Sequence, residues 1–256
     1  MGYFFAVTGK GGVGKTTLSA LLVNRLIKNG KKPVLAIDAD PNSCLDAALG
    51  VTVTGTVGSA REEMREESAL AAKSGISKHE MLQLKIAESL VESGGFDLIS
   101  MGRPEGAGCY CYANNVLKSV INEIAEAYPY VVLDNEAGLE NLSRRIVADT
   151  DTLLLVSDAS GAGIKTLLRL HGLTKEMEIS YKKLILIINR VRSESVPPAA
   201  AEAAKLTGAD ETVCIPDDAE VADFMERGQP LTELPDSNAA VKIIDKLIES
   251  IFREKG

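Results

Sequence analysis

The segment Gly9-Lys10-Gly11-Gly12-Val13-Gly14-Lys15-Thr16 constrains this chain most, because it satisfies the pattern G-x-x-x-x-G-K-[ST] directly after the apolar run Tyr3–Val7. Glycines in such a loop let successive backbone N–H groups face one anion, and the positive end of the following helix adds to the attraction. Lys15 can neutralise the β- and γ-phosphates of a nucleotide, and the Thr16 hydroxyl can ligate Mg²⁺. The motif therefore predicts a phosphate-binding loop rather than a glycine-rich turn with a surface lysine. The predicted nucleotide-binding residues of this loop are Gly11, Gly12, Val13, Gly14, Lys15, Thr16 and Thr17.

Strand-like runs alternate with helix-like stretches along the chain. Several of these runs are continuously apolar, as in strands buried on both faces of a parallel sheet, and the stretches between them are long enough for crossover helices. We therefore predict one α/β domain over residues 1–256, with a doubly wound, mostly parallel sheet and helices on both faces. Ligands of such sheets bind at the carboxyl ends of the strands. The predicted strands are Tyr3–Val7, Val34–Asp38, Phe96–Ser100, Tyr130–Asp134, Thr152–Ser157, Leu184–Asn189 and Thr212–Ile215.

Composition narrows the range of partners. The chain has 256 residues, with 28 Lys and Arg against 36 Asp and Glu, and its net charge of −8 argues against nucleic acid as a partner. No apolar run reaches the roughly 18 residues that span a bilayer, and the N-terminus lacks a secretory signal. We therefore expect no membrane partner and a cytoplasmic location. Four cysteines are too few for a disulfide scaffold in a chain of this length.

Acidic residues end two of the predicted strands. Asp38 and Asp40 follow the second strand, and their alternation in extended backbone directs both side chains to one face beside the phosphate loop. An Asx-type turn before Pro41 is the alternative role for this pair. The apolar run Tyr130–Asp134 ends in an acid, the Walker B arrangement in which a carboxylate holds Mg²⁺ directly or through water. A helix cap or turn is the alternative role for Asp134.

Cys109 and Cys111 form a C-x-C pair between the predicted strand Phe96–Ser100 and the helix-like stretch after it. In extended backbone both thiols point to one side, where two soft ligands can hold one metal ion. Tetrahedral thiolate sites need four ligands, so one chain supplies half a site and a two-fold dimer supplies the whole. The alternative is a pair of small buried residues in a loop. Cys44 and Cys214 stand singly and are predicted to be core residues.

The string from Lys10 to Thr16 resembles the deviant Walker A motif of the MinD/ParA/nitrogenase-iron-protein class of P-loop ATPases. This resemblance implies hydrolysis of ATP to ADP and phosphate. It also implies that Lys10 is a signature lysine that reaches the nucleotide of a partner subunit, so that a homodimer is the active form and Lys10 and Lys15 are both catalytic. Without the resemblance, Lys10 would equally fit a solvated loop lysine.

The same resemblance gives roles to the acidic residues. It implies that Asp38 lies near the Mg²⁺ shell with Thr16 and Asp134, and that Asp40 is catalytic because it orients or activates the attacking water. The spacing from Asp134 to Gly138 is similar to the switch II pattern D-x-x-x-G of the class, although Glu136 stands where most members carry Pro.

Two further residues are implied to bind the base. In the class, an Asn in the position of Asn189 hydrogen-bonds the adenine edge, and the segment Ile215–Asp218, with Pro216, lines the base. A simple turn at the strand end is the alternative role for Asn189.

The block around Cys109 and Cys111, together with Asp40–Leu45 and Asp134–Glu140, resembles the CooC family of nickel-handling ATPases that mature carbon monoxide dehydrogenase. This resemblance implies a metal, nickel or zinc, held by the C-x-C pair between two subunits, and carbon monoxide dehydrogenase as the client. Thiolates accept both Zn²⁺ and Ni²⁺, so the ligands do not choose between them. The expected cofactors are ATP/ADP, Mg²⁺, and Ni²⁺ or Zn²⁺.

Two other functions compete with this one. A MinD/ParA-like spatial regulator would act on a membrane or on DNA, but the apolar stripe of the predicted helix Ala239–Arg253 has a polar face of mixed charge and is more typical of core packing. An electron-transfer ATPase like the nitrogenase iron protein carries a second cysteine after switch II, and Leu139–Arg145 contains none. His79 and His171 lie in helical, polar surroundings and are predicted to be surface residues without an acid–base partner.

Overall fold

Eight strands form one sheet in the order β3-β4-β2-β5-β1-β6-β7-β8 over the residues that the structure, a computed structural model, describes: 2–42, 44–64, 77–102, 119–136, 149–192 and 195–253. Neighbouring strands are parallel except for the antiparallel pair β3–β4. The mostly parallel α/β sheet is thus confirmed, and so are all seven predicted strands. The strands are β1 (Tyr3–Gly9), β2 (Val34–Asp38), β3 (Val91–Glu92), β4 (Phe96–Ser100), β5 (Tyr130–Asp134), β6 (Asp149–Asp158), β7 (Ser180–Val191) and β8 (Glu211–Pro216).

Helices lie between the parallel strands, and two more follow the last strand. They are α1 (Lys15–Lys28), α2 (Leu45–Leu49), α3 (Lys78–Glu88), α4 (Gly161–Glu176), α5 (Pro198–Thr207), α6 (Ala219–Glu226) and α7 (Ala239–Phe252), with a 3₁₀ turn at Leu231–Glu233. Residues 57–64 and 119–126 are also helical. Among the described residues, no helix has the length and apolar content needed to cross a bilayer.

Alternate side chains of the central strands enter different layers of the core. In β1, Phe5 and Val7 pack with α1 and α7, while Phe4 and Ala6 pack on the opposite face of the sheet. Helices therefore cover both faces, which agrees with the prediction of a doubly wound fold.

The last helix, α7, ends one residue before the predicted boundary at Arg253. Its apolar stripe is buried, so the predicted core packing is confirmed. The buried residues of this stripe include Val241, Ile244, Leu247, Ile248 and Ile251.

The two histidines differ from the prediction in different ways. His171 is only 5% exposed and lies 3.3 Å from the Tyr181 hydroxyl, so its prediction as a surface residue was wrong. It shares the buried face of α4 with Ile164 and Leu167. The three residues have the spacing i, i+3, i+7, which places them on one side of a helix. His79 is partly exposed, as predicted, but it contacts the carboxylate of Glu123 at 3.1 Å, so it does have an acidic partner.

Candidate nucleotide and magnesium site

The phosphate-binding motif lies between the end of β1 and the start of α1, as the sequence predicts. Gly12 and Gly14 have φ angles of 77° and 92°, which only glycine adopts readily. Gly14 precedes α1 and has no side chain to cap it, so the first N–H groups of this helix face the loop without a side-chain acceptor. The arrangement is that of an anion site at a helix N-terminus.

Lys15 points back over this loop. Its Nζ atom donates to the Lys10 carbonyl at 3.2 Å, and the residue is 8% exposed. Burial lowers the pKa of Lys15, whereas the charges of Asp134, Asp40 and Glu136 act in the opposite direction. A phosphate beside the ammonium would replace the neutral carbonyl by an anionic partner, which is the stronger interaction.

Asp38 and Asp134 occupy facing positions in the pairing of β2 with β5, at the carboxyl edge of the sheet. The Asp134 carboxylate accepts from the Ser19 hydroxyl at 3.1 Å and lies close enough to the Thr16 side chain for that hydroxyl to favour its ionised form. Burial raises the pKa of Asp134 to about 7. Asp38 accepts from the backbone N–H groups of Asp40 and Leu45, both at 3.0 Å, yet burial still raises its pKa to about 6.

The second carboxylate oxygen of Asp134 is fully buried and has no hydrogen-bond partner among the described residues. A buried acceptor without a donor is unfavourable by about 1–3 kcal/mol, and a hard cation relieves this. Thr16, Asp38 and Asp134 offer the oxygen ligands that Mg²⁺ prefers, so the chemistry of these residues fits the predicted ion. Ser19, one turn after Thr16 on α1, is a site residue that sequence reasoning missed.

Asp40 lines the same cleft, but its carboxylate forms the Asx turn that the sequence left open as an alternative. It accepts from the Asn42 backbone N–H at 2.8 Å and from the Asn42 side chain at 3.0 Å. Cys44 stands at the mouth of this cleft and is exposed, so the prediction of a buried core residue was wrong. Cys214 is partly buried and packs against the core under β7 and α5.

An open cavity covers the phosphate loop, and a second, smaller cavity adjoins it. Both are lined by Gly14, Thr17, Arg190 and Met225, so they form one continuous groove. The second cavity, here called the base-side cavity, is also lined by Asn189, Pro216, Asp217, Asp218, Val221, Ala222 and Ala240, among others.

Asn189 and Pro216, the two residues implied to contact adenine, thus lie together at the base-side cavity. The Asn189 amide nitrogen donates to the Val13 carbonyl of the phosphate loop at 2.8 Å. Thr17 donates to the sulfur of Met225 at 3.2 Å, which ties the start of α1 to α6. Arg190 adopts φ 57°, a strained value for a residue with a side chain, at the rim of the groove.

Lys10 is exposed on the outer side of the loop. It lies close enough to Asp158, at the end of β6, to favour the ionised form of that carboxyl. Hydrogen bonding to the Ser160 side chain is the largest cause of the lowered pKa of Asp158, with further contributions from the charges of Lys10 and Arg190. Within its own chain, the predicted signature lysine therefore lies within electrostatic range of the Asp158 carboxylate.

Cys109, Cys111 and Gly138 lie outside the described residues. The segment that leads to the cysteines can be followed to Gly102. There Met101 donates its backbone N–H to the Asp38 carbonyl at 2.8 Å, so this segment leaves the sheet beside the two buried carboxylates.

Comparison with known proteins agrees with this geometry. The family model described as the CobQ/CobB/MinD/ParA nucleotide binding domain matches residues 4–231. An uncharacterised ATP-binding protein of Methanocaldococcus jannaschii, MJ0685, is 40% identical over 253 residues, with 98% of each chain covered. The carbon monoxide dehydrogenase accessory protein CooC of Rhodospirillum rubrum is 29% identical over 204 residues, which cover 73% of this chain and 74% of that one.

A solved structure shares the fold. The septum site-determining protein MinD of Pyrococcus horikoshii, complexed with Mg-ADP, matches with a TM-score of 0.69 at 20% identity, covering 99% of this chain and 97% of that one. The chain therefore belongs to the CobQ/CobB/MinD/ParA nucleotide-binding domain family, and it is an ATPase of that family.

Proposed function

We propose that this ATPase is a nucleotide-dependent homodimer that holds a metal ion between its subunits through Cys109 and Cys111 and supports nickel insertion into carbon monoxide dehydrogenase. The observation that carries the proposal is the backbone hydrogen bond from Met101, just after β4, to the Asp38 carbonyl. In the sequence, Cys109 follows Gly102 by seven residues. The cysteine pair therefore lies close in sequence to a backbone contact with the carboxylate-bearing end of β2.

The described residues support the hydrolytic half of the proposal. Lys15 and the loop N–H groups bind the phosphates, and Thr16 with Asp134 and Asp38 would hold Mg²⁺, which supplies charge neutralisation of the phosphates when bound. Asp40 lines the cleft where the attacking water would be oriented. Lys10 is exposed and therefore accessible to the nucleotide of a second subunit, where an added cation would stabilise the charge on the transferring phosphoryl group.

The metal half rests on the chemistry of the C-x-C pair and on the similarity to CooC. Two thiolates from each of two chains complete a tetrahedral site for Ni²⁺ or Zn²⁺, with nickel as cargo. Closing the dimer around ATP would assemble these four ligands, and hydrolysis would separate them and release the ion to the client.

A MinD-like role at a membrane is the main alternative, and α7 is the observation that argues against it. Membrane-surface helices present an apolar face to lipid, whereas the apolar stripe of α7 is buried against α1 and the sheet.

The proposal is tested by measuring metal content and oligomeric state together. Purified chain is loaded with Ni²⁺ or Zn²⁺ in the presence of MgATP or MgADP, and bound metal is quantified after size-exclusion chromatography. We expect about one metal ion per two chains in the ATP-bound dimer and loss of this metal in the C109S/C111S variant. Nickel delivery is then followed as activation of nickel-free carbon monoxide dehydrogenase.

The double variant C44S/C214S is the matched control, because it removes the other two cysteines of the chain. It should retain the metal. Undiminished metal binding by C109S/C111S, or a chain that stays monomeric with ATP and Mg²⁺, would refute the proposal while leaving the ATPase assignment intact.

A further inference from the structure

Asn238 is a buried amide that links two helix N-termini. It precedes α7 and is 5% exposed. Its Oδ1 atom accepts from the backbone N–H groups of Ala240 at 2.9 Å and Val241 at 3.2 Å, which makes Asn238 the N-cap of α7.

The other half of the same amide binds the start of α6. Its Nδ2 atom donates to Asp218 Oδ2 at 3.0 Å and to Glu220 Oε2 at 2.9 Å. Asp218 in turn caps α6, because its Oδ1 atom accepts from the N–H groups of Glu220 at 3.0 Å and Val221 at 3.1 Å. One side chain therefore joins the caps of two helices.

These two caps form a wall of the base-side cavity. Asp218 and Val221 line the cavity from α6, and Ala240 lines it from α7, whereas Asn238 itself does not. We propose that Asn238 is a positioning residue for the nucleotide base: it fixes the spacing of the two helix ends between which the base is held. This inference rests on the proposal that the base occupies this cavity.

The chemistry of the linkage requires an amide. The Oδ1 position must accept from backbone N–H groups, and the Nδ2 position must donate to two carboxylates. Aspartate has the same shape and would keep the cap of α7, but it would place a third negative charge against Asp218 and Glu220. The two helix ends should then separate, and the cavity wall should open.

The catalytic residues lie at the phosphate end of the groove, so the defect should appear in nucleotide binding more than in turnover. For N238D we expect the Kd for ATP, measured by titration calorimetry with Mg²⁺, to rise about tenfold, with KM rising in parallel. The kcat at saturating ATP should stay within about twofold of wild type.

A charge swap separates this role from a general loss of structure. In the double variant N238D/D218N, Asn at position 218 still caps α6 and can donate its amide to Asp at position 238. We expect this variant to recover a Kd within about threefold of wild type. N29D is the matched control, because Asn29 also donates to a carboxylate, Asp245 at 2.9 Å, but at the far end of α1. Its Kd should not change.

An unchanged Kd for N238D, or a double variant as weak as the single one, would overturn the inference. If N238D does not fold, N238S decides, since serine still caps α7 but is too short to donate to Asp218 and Glu220. N238S is expected to weaken ATP binding about threefold, and wild-type affinity in N238S would overturn the inference. Failure of the wild-type chain to bind ATP would instead refute the nucleotide assignment itself.

Discussion

At the scale of single residues, Asp134 suits the predicted magnesium site but lowers the stability of the metal-free protein. Its carboxylate is 1% exposed, one of its oxygens has no partner among the described residues, and Asp38 adds a second acidic group beside it. In the absence of metal, such an arrangement disfavours the folded state whenever Asp134 is ionised.

We therefore predict that D134N abolishes MgATP hydrolysis but stabilises the metal-free protein. Because burial raises the pKa of Asp134 to about 7, the folded state holds a proton that the unfolded chain releases near pH 4. The stability of the metal-free wild type thus falls as the pH rises from about 4 to about 7. At pH 8 in EDTA, D134N should unfold at a temperature higher by roughly 2–4 °C, equivalent to about 1 kcal/mol.

At pH 5, where Asp134 is protonated, the difference between D134N and wild type should largely disappear. Differential scanning calorimetry at the two pH values measures both effects. A lower unfolding temperature for D134N at pH 8 would contradict the prediction.

His171 has the opposite pH dependence. Burial, with a smaller effect of Lys175, lowers the pKa of His171 from its usual value of 6.5. Below that value the unfolded chain takes up a proton more readily than the folded chain, so stability falls as the pH decreases.

We predict that H171Q reduces this loss of stability. Glutamine does not titrate and can still hydrogen-bond the Tyr181 hydroxyl. The free energy of unfolding in urea, measured at pH 7.5 and at pH 5.5, should therefore fall less in H171Q than in wild type. An equal fall in both proteins would contradict the prediction, and H79Q is the control because His79 is partly exposed.

At the scale of elements, Arg25 joins α1 to α7. Its guanidinium makes two hydrogen bonds of 2.7 Å to the carboxylate of Asp245, and it also binds Asp236. Arg25 is largely buried, whereas the neighbouring pair of Lys28 and Asp236 is exposed.

We predict that R25A destabilises the protein by about 2–3 kcal/mol, because it leaves Asp245 without its charged partner. R25K should recover less than half of this loss, since lysine cannot donate two parallel hydrogen bonds. K28A should change the free energy of unfolding by less than about 0.5 kcal/mol. Urea unfolding measures all three, and equal effects of R25A and K28A would contradict the argument.

The sequence predicts the long elements well and the local contacts poorly. Continuous apolar runs identify the parallel strands, but β3 has only two residues, so no pattern marks it. The sequence also predicts where the site carboxylates and the phosphate loop lie, because each directly follows a strand. The helical repeat of apolar residues in α4 could have predicted the burial of His171. The position of Asn238 directly before an apolar helix could have predicted that it caps this helix. The Asn238–Asp218 contact joins residues 20 positions apart, and nothing in their spacing indicates it.

At the scale of the whole molecule, the proposed dimer makes catalysis depend on two chains. We predict that K10A and K15A are each inactive alone but complement each other when mixed. In a mixed dimer, the K10A chain keeps its own Lys15 and receives Lys10 from the other subunit, which rebuilds one site.

Random pairing of equal amounts places half the chains in mixed dimers with one working site of two, so about a quarter of wild-type ATPase activity should return. Steady-state phosphate release from the mixture measures it, and co-purification of the two variants through an affinity tag on one of them is the control for subunit exchange. Failure of K10A and K15A to complement, despite demonstrated exchange, would mean that Lys10 acts within its own chain.

The contact between the phosphate loop and the amide of Asn189 has a consequence for changing this protein by design. A Cβ atom at position 14 would lie 2.3 Å from Asn189 Nδ2, so alanine there would displace the Asn189 amide and would also be strained at the φ angle of 92°. The predicted phosphate loop and the end of β7 are thus in direct steric contact. An engineer who enlarges position 14 must therefore also change Asn189, so the two positions are best redesigned together.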